Sequence, residues 1–456
     1  MGCQGCTDIP TPNLDAICAG GARCTSGYVT APLCSPSRAG LLTGRYQQRF
    51  GHEHNPGAAE GAGLPLTETT LAGRLRAAGY ATSMVGKWHL GMLEEQNPVN
   101  RGFDEFFGFL HGAHSYLDPQ DTRNDPIRRG LEPVEETDYL TNAFGREAVG
   151  FIEGHADEPF FLYLAFNAVH TPLEATRAYM DRFPDIQDPR RRTFAGMLAA
   201  MDDAVGDVLA TLRAKGIEDN TLVVFISDNG GITEKNTSRN DPLRGYKGQV
   251  YEGGIRVPFA LRWPGHIPAG TVYDRPVSSL DVVPTALAAA GAAQPAGLDG
   301  VDLAPCLSGA AAGDPHEQLC WRMGRKTAIR RGDWKLLREA RGDFELYNLG
   351  EDIGETTDLS EAEPERFAAL QAALTAWDEQ MVGPLWVRES FAGERRQRQG
   401  GVQAVNVEQR FERLDADGDG RISRDEAGGR RWFDRADADG DGFVTRDEAR
   451  NLQGGQ

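Results

Sequence analysis

The sequence has little that would carry it to a nucleic acid, into a membrane or through a disulfide framework. Lys and Arg number 48 against 67 Asp and Glu, a formal charge of −19 over 456 residues. A nucleic-acid backbone or an anionic lipid surface would repel such a chain, so neither is expected as a partner. No apolar run approaches the ~20 residues that span a bilayer, so no membrane span is expected, and no charged-then-apolar leader opens the sequence. The seven cysteines, at 3, 6, 18, 24, 34, 306 and 320, are odd in number and irregularly spaced, unlike a disulfide framework. Cys3 and Cys6 form a C-x-x-C, but no second pair follows at zinc-site spacing. What is present, 40% hydrophobic and 25% charged residues, is an ordinary globular composition. The length allows two or three units at a prior of one per ~150 residues. An acidic body that handles an anionic ligand needs a locally basic pocket.

Residues 28–38 read as a strand-like run that breaks at Cys34-Ser35-Pro36-Ser37-Arg38, with residues 39–45 continuing as a helix. Such a turn points free backbone N–H groups and the positive end of the helix dipole at whatever Cys34 carries, which is a place for an anion. Taken alone, Cys34 reads better as a small buried residue before a capped helix.

Around this stretch helices and strands alternate, with polar groups just past strand ends, as in α/β proteins. Thr11 and Pro12 mark a helix entrance, and residues 67–80 form a short amphipathic helix. A strand at 81–85 then runs into Gly86-Lys87-Trp88-His89-Leu90-Gly91. Residues 101–140, rich in aromatics, Gly and Asp, read as a long loop that either lines a substrate pocket, with His111, His114 and Tyr116 as candidate selectors, or forms a surface cover with packed aromatics. A helix at 141–154 precedes an apolar strand at 159–166, which delivers Asn167-Ala168-Val169-His170-Thr171-Pro172 at its end. A helix near 193–215 leads to a second apolar strand at 221–227, followed at once by Asp228-Asn229-Gly230-Gly231. By itself that tetrapeptide is a tight turn; two adjacent hard oxygen donors suit Ca²⁺ or Mg²⁺ better than zinc. Residues 243–258 carry Lys247 between glycines, and Glu252 and Arg256 are expected to pair and hold that loop.

Five ordered motifs, C-S-P-S-R, G-K-W-H-L-G, N-A-V-H-T-P, S-D-N-G and the lysine segment G-Y-K-G-Q-V-Y-E-G-G-I-R-V-P, resemble those of the type I sulfatases. These are arylsulfatase-like members of the alkaline phosphatase superfamily, and the resemblance covers nearly all of residues 8–390. It implies an α/β sandwich with a mostly parallel central sheet between helices, and a smaller C-terminal α+β subdomain. It also implies hydrolysis of a sulfate ester, of a sulfated carbohydrate or an aryl sulfate, through a formylglycine made from Cys34 by a formylglycine-generating enzyme. Arg38 would steady the hydrated aldehyde, Lys87 and Lys247 would meet the sulfate oxygens, His170 would serve the leaving oxygen and His89 would act as base. Cys34, Asp228 and Asn229 would hold a divalent ion, Ca²⁺ with Mg²⁺ possible. Family members carry one more strand before Ile9, ending in a metal-binding Asp-Asp pair, that this sequence does not contain. The expectation is a start at an internal methionine, with a leader, strand and Asp-Asp upstream; the alternative is a shortened, inactive, calcium-binding relative. A phosphodiester or phosphonate hydrolase of the same superfamily is the other alternative.

The division expected is 1–310 for the catalytic domain, 311–390 for the subdomain, 391–405 for a polar linker and 406–456 for an EF-hand pair. Asp415, Asp417, Asp419, Arg421 and Glu426 stand at positions 1, 3, 5, 7 and 12 of one calcium loop, with Gly420 at 6. Asp437, Asp439, Asp441, Phe443 and Glu448 repeat it, with Gly442 at 6. Val407, Phe411, Leu414, Trp432 and Phe433 supply apolar faces for an all-α pair, whose own partner the sequence does not name. Sulfatases of this kind are usually exported, so a periplasmic or secreted protein is expected if a signal lies upstream.

Overall fold

The computed structural model describes residues 1–57, 61–120 and 125–386 continuously, together with 415, 417, 419–424, 426, 433, 437, 439, 441–446 and 448. The chain separates into two compact units, Met1–Phe391 and Ala392–Gln456.

In the first unit the α/β expectation holds, but in place of one mostly parallel sheet there are two mixed sheets, a separate parallel pair of Gly27–Tyr28 with Val277–Ser278, and an antiparallel sheet that closes the unit. The first sheet runs in the order Glu132–Pro133, Arg128–Arg129, Glu105–Phe109, Ala81–Lys87, Phe160–Ala165. Its last three strands are parallel. The second runs Thr271–Tyr273, Ala22–Cys24, Phe259–Arg262, Val223–Ile226, and its two last strands are antiparallel. Glu105–Phe109 corrects the reading of 101–140 as loop. Phe106, Phe107 and Phe109 are buried, and Gly108 lets the strand lie close to its neighbour, since a Cβ there would meet the Gly86 carbonyl oxygen at 1.9 Å. Two long helices, Leu140–Gly154 and Pro189–Ala214, pack on each other.

Among the described residues Phe160–Ala165 pairs on one side only, with Ala81–Lys87, and Val223–Ile226 on one side only, with Phe259–Arg262. A cavity of about 1320 Å³ is lined by both strands, with Leu162, Leu164, Phe166, Met201, Val223 and Phe225 on its wall. Strands that looked fully buried from their apolar runs are therefore half-buried.

The C-terminal part of this unit is an antiparallel sheet of Leu319–Met323, Lys326–Arg331, Trp334–Arg338 and Glu345–Asn348. The Pro364–Asp378 helix sets Leu370, Leu374 and Trp377 on Ile329, Leu336 and Leu346. The strands Lys326–Arg331 and Trp334–Arg338 form a hairpin that turns at Gly332 (φ 57).

In the second unit the two calcium loops join through short antiparallel strands, Arg421–Ser423 and Phe443–Thr445, with Ile422 opposite Val444 and both buried. Phe433 is buried; Val407, Phe411, Leu414 and Trp432 lie outside the described residues. No helix among the described residues is long and apolar enough to cross a membrane.

Candidate active site

Cys34 is the first residue of the Cys34–Thr43 helix, behind extended Leu33. The helix entrance is not as open as the motif implies, because the Ser35 N–H donates to Asn55 Oδ1 at 3.0 Å. Ser35 Oγ lies 2.6 Å from His52 Nε2. Cys34 itself is 1% exposed.

Strand ends and one loop bring the remaining groups to it. Lys87 closes the Ala81–Lys87 strand and is buried. His89 follows in a left-handed conformation (φ 61), its N–H donating to the Leu110 carbonyl. Asp228 and Asn229 follow the Val223–Ile226 strand. The Arg38 guanidinium, one helical turn into its helix, donates through Nε to Asp228 Oδ2 at 2.9 Å and through Nη1 to the Lys87 carbonyl at 2.6 Å. Lys247 reaches in from its loop, with Nζ 2.8 Å from Cys34 Sγ.

His170 donates from Nδ1 to the Thr171 carbonyl at 2.7 Å, which leaves Nε2 for the site. Tyr116 holds this segment: its hydroxyl donates to the carbonyls of Asn167 at 2.6 Å and His170 at 2.9 Å. That corrects two of the proposed selectors. Tyr116 is fully buried; His114 is also buried, with its ring nitrogens 2.8 Å and 3.1 Å from the Ser115 and Asp125 carbonyl oxygens. Neither faces a ligand. His111 stays exposed beside Gly112, where a Cβ would meet the His89 ring at 2.7 Å.

Electrostatically the cluster favours anions. Burial opposes ionisation of Cys34, yet Lys87, Lys247 and a hydrogen bond from His170 hold its thiol well below the ordinary range. Asp228 is likewise opposed by burial but driven well below its ordinary value by Arg38, Lys87 and Lys247. Desolvation pushes His89 down to about 4, against a hydrogen bond to Cys34 that raises it, so the imidazole is neutral at pH 7.

Two buried amides wait for partners: Asn229 Oδ1, and both side-chain polar atoms of Asn167, find no hydrogen bond. An orphaned oxygen beside an ionised carboxylate fits a hard cation. Together with the Cys34 position these are three donors, where calcium takes 6–8. The EF-hand loops fit calcium more fully. Ligand oxygens of Asp415, Asp417 and Asp419, and of Asp437, Asp439 and Asp441, lie within 4.8 Å of one another. Asp415 Oδ1 and Asp437 Oδ1 are buried without a partner.

Comparison with known proteins agrees with this geometry. A family model described as Sulfatase matches residues 1–292, and one described as N-sulphoglucosamine sulphohydrolase, C-terminal, matches 246–380. The EF hand model matches 407–426 and 430–452. An uncharacterized sulfatase of Escherichia coli is 35% identical over 341 residues, 68% of this chain and 59% of that one. The N-acetylgalactosamine-6-sulfatase of Sus scrofa is 37% identical over 337 residues, 67% of this chain and 63% of that one. The chain thus spans about six tenths of the length of these relatives. The crystal structure of Ps i-CgsB in complex with k-i-k-neocarrahexaose is similar at a TM-score of 0.83 and 35% identity, covering 88% of this chain and 94% of that one.

Proposed function

The chain belongs to the sulfatase family, and from that premise we propose that it hydrolyses sulfate esters, with sulfated carbohydrates as the natural class. One observation carries the reading: Arg38, Lys87 and Lys247 converge on a buried Cys34 at a helix start, with two histidines at the same sulfur. The Sus scrofa relative and the neocarrahexaose complex, by their names, support a carbohydrate.

In this proposal Cys34 is converted by a formylglycine-generating enzyme to formylglycine, whose hydrate offers one hydroxyl for attack at sulfur and a second that later expels sulfate. A thiol has no second group for that last step. The ammonium groups of Lys87 and Lys247 take the sulfate oxygens, in a buried setting where fixed charge is worth most. His170 Nε2, oriented by the Nδ1 bond to Thr171, serves the leaving oxygen. His89, neutral at working pH, accepts the proton when sulfate departs. Arg38 holds Asp228 and the end of the Lys87 strand in register with the nucleophile.

Asp228, Asn229 and the residue at 34 would hold a Ca²⁺ or Mg²⁺ ion supplying Lewis-acid help to the sulfate oxygen. The strands Phe160–Ala165 and Val223–Ile226 both lead at their C-terminal ends to the site residues. The EF-hand pair binds two calcium ions and plays a structural or tethering role. Export to the periplasm or the exterior suits loops whose extracellular relatives work at ~10⁻⁴–10⁻³ M calcium.

Parallel assays of para-nitrophenyl sulfate and an aryl phosphodiester test the reaction class. Turnover of the sulfate ester in preference to the phosphodiester is expected; the reverse preference would refute the proposal.

A further inference from the structure

Lys247 stands on a segment with little stiffness of its own. Gly245 (φ 84) and Gly248 (φ 92) flank it, both in conformations that side chains disfavour. Its placement therefore depends on what grips the surrounding backbone: the Lys247 N–H donates to the Gly231 carbonyl at 3.1 Å and the Gly248 N–H to the Pro32 carbonyl at 2.9 Å, and a second set of bonds comes from the C-terminal sheet and the loops beside it. Lys326 Nζ donates to the Gly248 carbonyl at 2.5 Å, and the Val250 N–H to Glu339 Oε1 at 2.7 Å. Tyr251 OH donates to Glu345 Oε2 at 2.7 Å. At the end of the segment the Glu252 N–H donates to Glu355 Oε2 at 2.8 Å. Lys335 Nζ, fully buried, lies 2.8 Å from both Glu252 Oε1 and Glu355 Oε1.

That triad is an odd device for stability. Two carboxylates share one ammonium out of water, with Arg256 on Glu252 Oε2 and Arg330 acting through Tyr28 OH. Well-packed apolar residues would hold the same space without the desolvation cost. Burial and the neighbouring Glu252 push Glu355 up to about 7 against the pull of Lys335, and Glu355 sits in the left-handed region at φ 50. A strained, buried, charged cluster is a means of fixing geometry.

We propose that Lys335, with Glu252 and Glu355, is a positioning group that sets Lys247 against the residue-34 nucleophile, so that the C-terminal sheet acts in the reaction without touching substrate. The inference rests on the proposed sulfatase reading for its kinetic arm only.

A double-mutant cycle in the full calcium-loaded chain tests it. In the wild-type background Lys335→Met is expected to lower kcat/KM for para-nitrophenyl sulfate by about a hundredfold, the scale of an ångström-sized misplacement. On a Lys247→Ala background the same substitution is expected to change it less than about twofold, because groups acting through one another are not additive. Equal losses in both backgrounds, or no loss, would overturn the proposal. Amide hydrogen exchange across residues 244–255 is the arm that needs no turnover. Faster exchange there in Lys335→Met, with the Cys34–Thr43 helix unchanged, supports the clamp; unchanged exchange in 244–255 overturns it. The double substitution Lys335→Met with Glu355→Gln, which removes the leftover charge, is expected to restore the melting temperature but not kcat/KM. Recovery of both would reduce Lys335 to a stability role and overturn the proposal.

Discussion

His89 illustrates how one position answers to both backbone and charge. Its left-handed backbone turns the imidazole toward Cys34, and desolvation keeps the ring neutral down to about pH 4. A base must be unprotonated to act, so the acid limb of kcat assigned to His89, whose step follows loss of the alcohol, is expected near pH 4; a limb at the ordinary histidine value near 6.5 would remove His89 from that role. Tyr116 supplies a second prediction. Tyr116→Phe removes two hydrogen bonds from the His170 segment, so a loss of about 1–2 kcal/mol in urea unfolding is expected, with kcat reduced and His111 unaffected. The residues proposed for the site are legible in the sequence because the motifs of Cys34, Lys87 and Asp228 lie at a helix start or just past strand ends. Tyr116 was legible only as an aromatic: a hydroxyl pairing with a carbonyl 51 residues away leaves no spacing to read. Its signal was the phenol itself, which needs a partner when buried.

At the scale of elements, the helix expected over 67–80 is shorter, Leu71–Ala77, because Thr70 caps it, its side chain accepting from the Gly73 N–H. Glu105–Phe109 was lost in a loop because Phe-Phe-Gly-Phe has no alternation, and the reason for its glycine lies in the neighbouring strand. Gly108→Ala would force a Cβ against the Gly86 carbonyl oxygen. A destabilisation of at least about 1–3 kcal/mol is therefore expected from urea unfolding, with no effect if the strands were not in contact. That Phe160–Ala165 and Val223–Ile226 stand in separate sheets is not legible for another reason: an apolar run records what a strand is built to touch, and Phe160–Ala165 pairs on one side only among the described residues. The one-sided pairing of Val223–Ile226 is the same case.

For the whole molecule, a chain of net charge −19 still sets three cations, Arg38, Lys87 and Lys247, around one buried site. It groups Asp415, Asp417 and Asp419, and Asp437, Asp439 and Asp441, in two calcium loops. Glu426→Gln with Glu448→Gln is expected to lower bound calcium by about two equivalents per chain, read by elemental analysis, while aryl sulfate turnover stays unchanged. A parallel loss of turnover would make the EF-hand pair more than a tether. Stability should also follow buried histidines. His52 is pushed down by burial to about 3 and His89 to about 4, so below pH 6.5 the unfolded chain binds protons that the folded chain refuses. Stability is present above that pH and falls toward pH 4, by about 3 kcal/mol from His89 alone, which unfolding at pH 7 and pH 4.5 would check. The central claim is that chemistry at position 34 cleaves a sulfate ester. Its most direct test is sulfate release from para-nitrophenyl sulfate by the chain matured with a formylglycine-generating enzyme, beside Cys34→Ala treated identically. The account predicts turnover in the first and none above background in the second; equal turnover in both, or none from a protein whose Cys34 peptide carries the aldehyde by mass spectrometry, would contradict it.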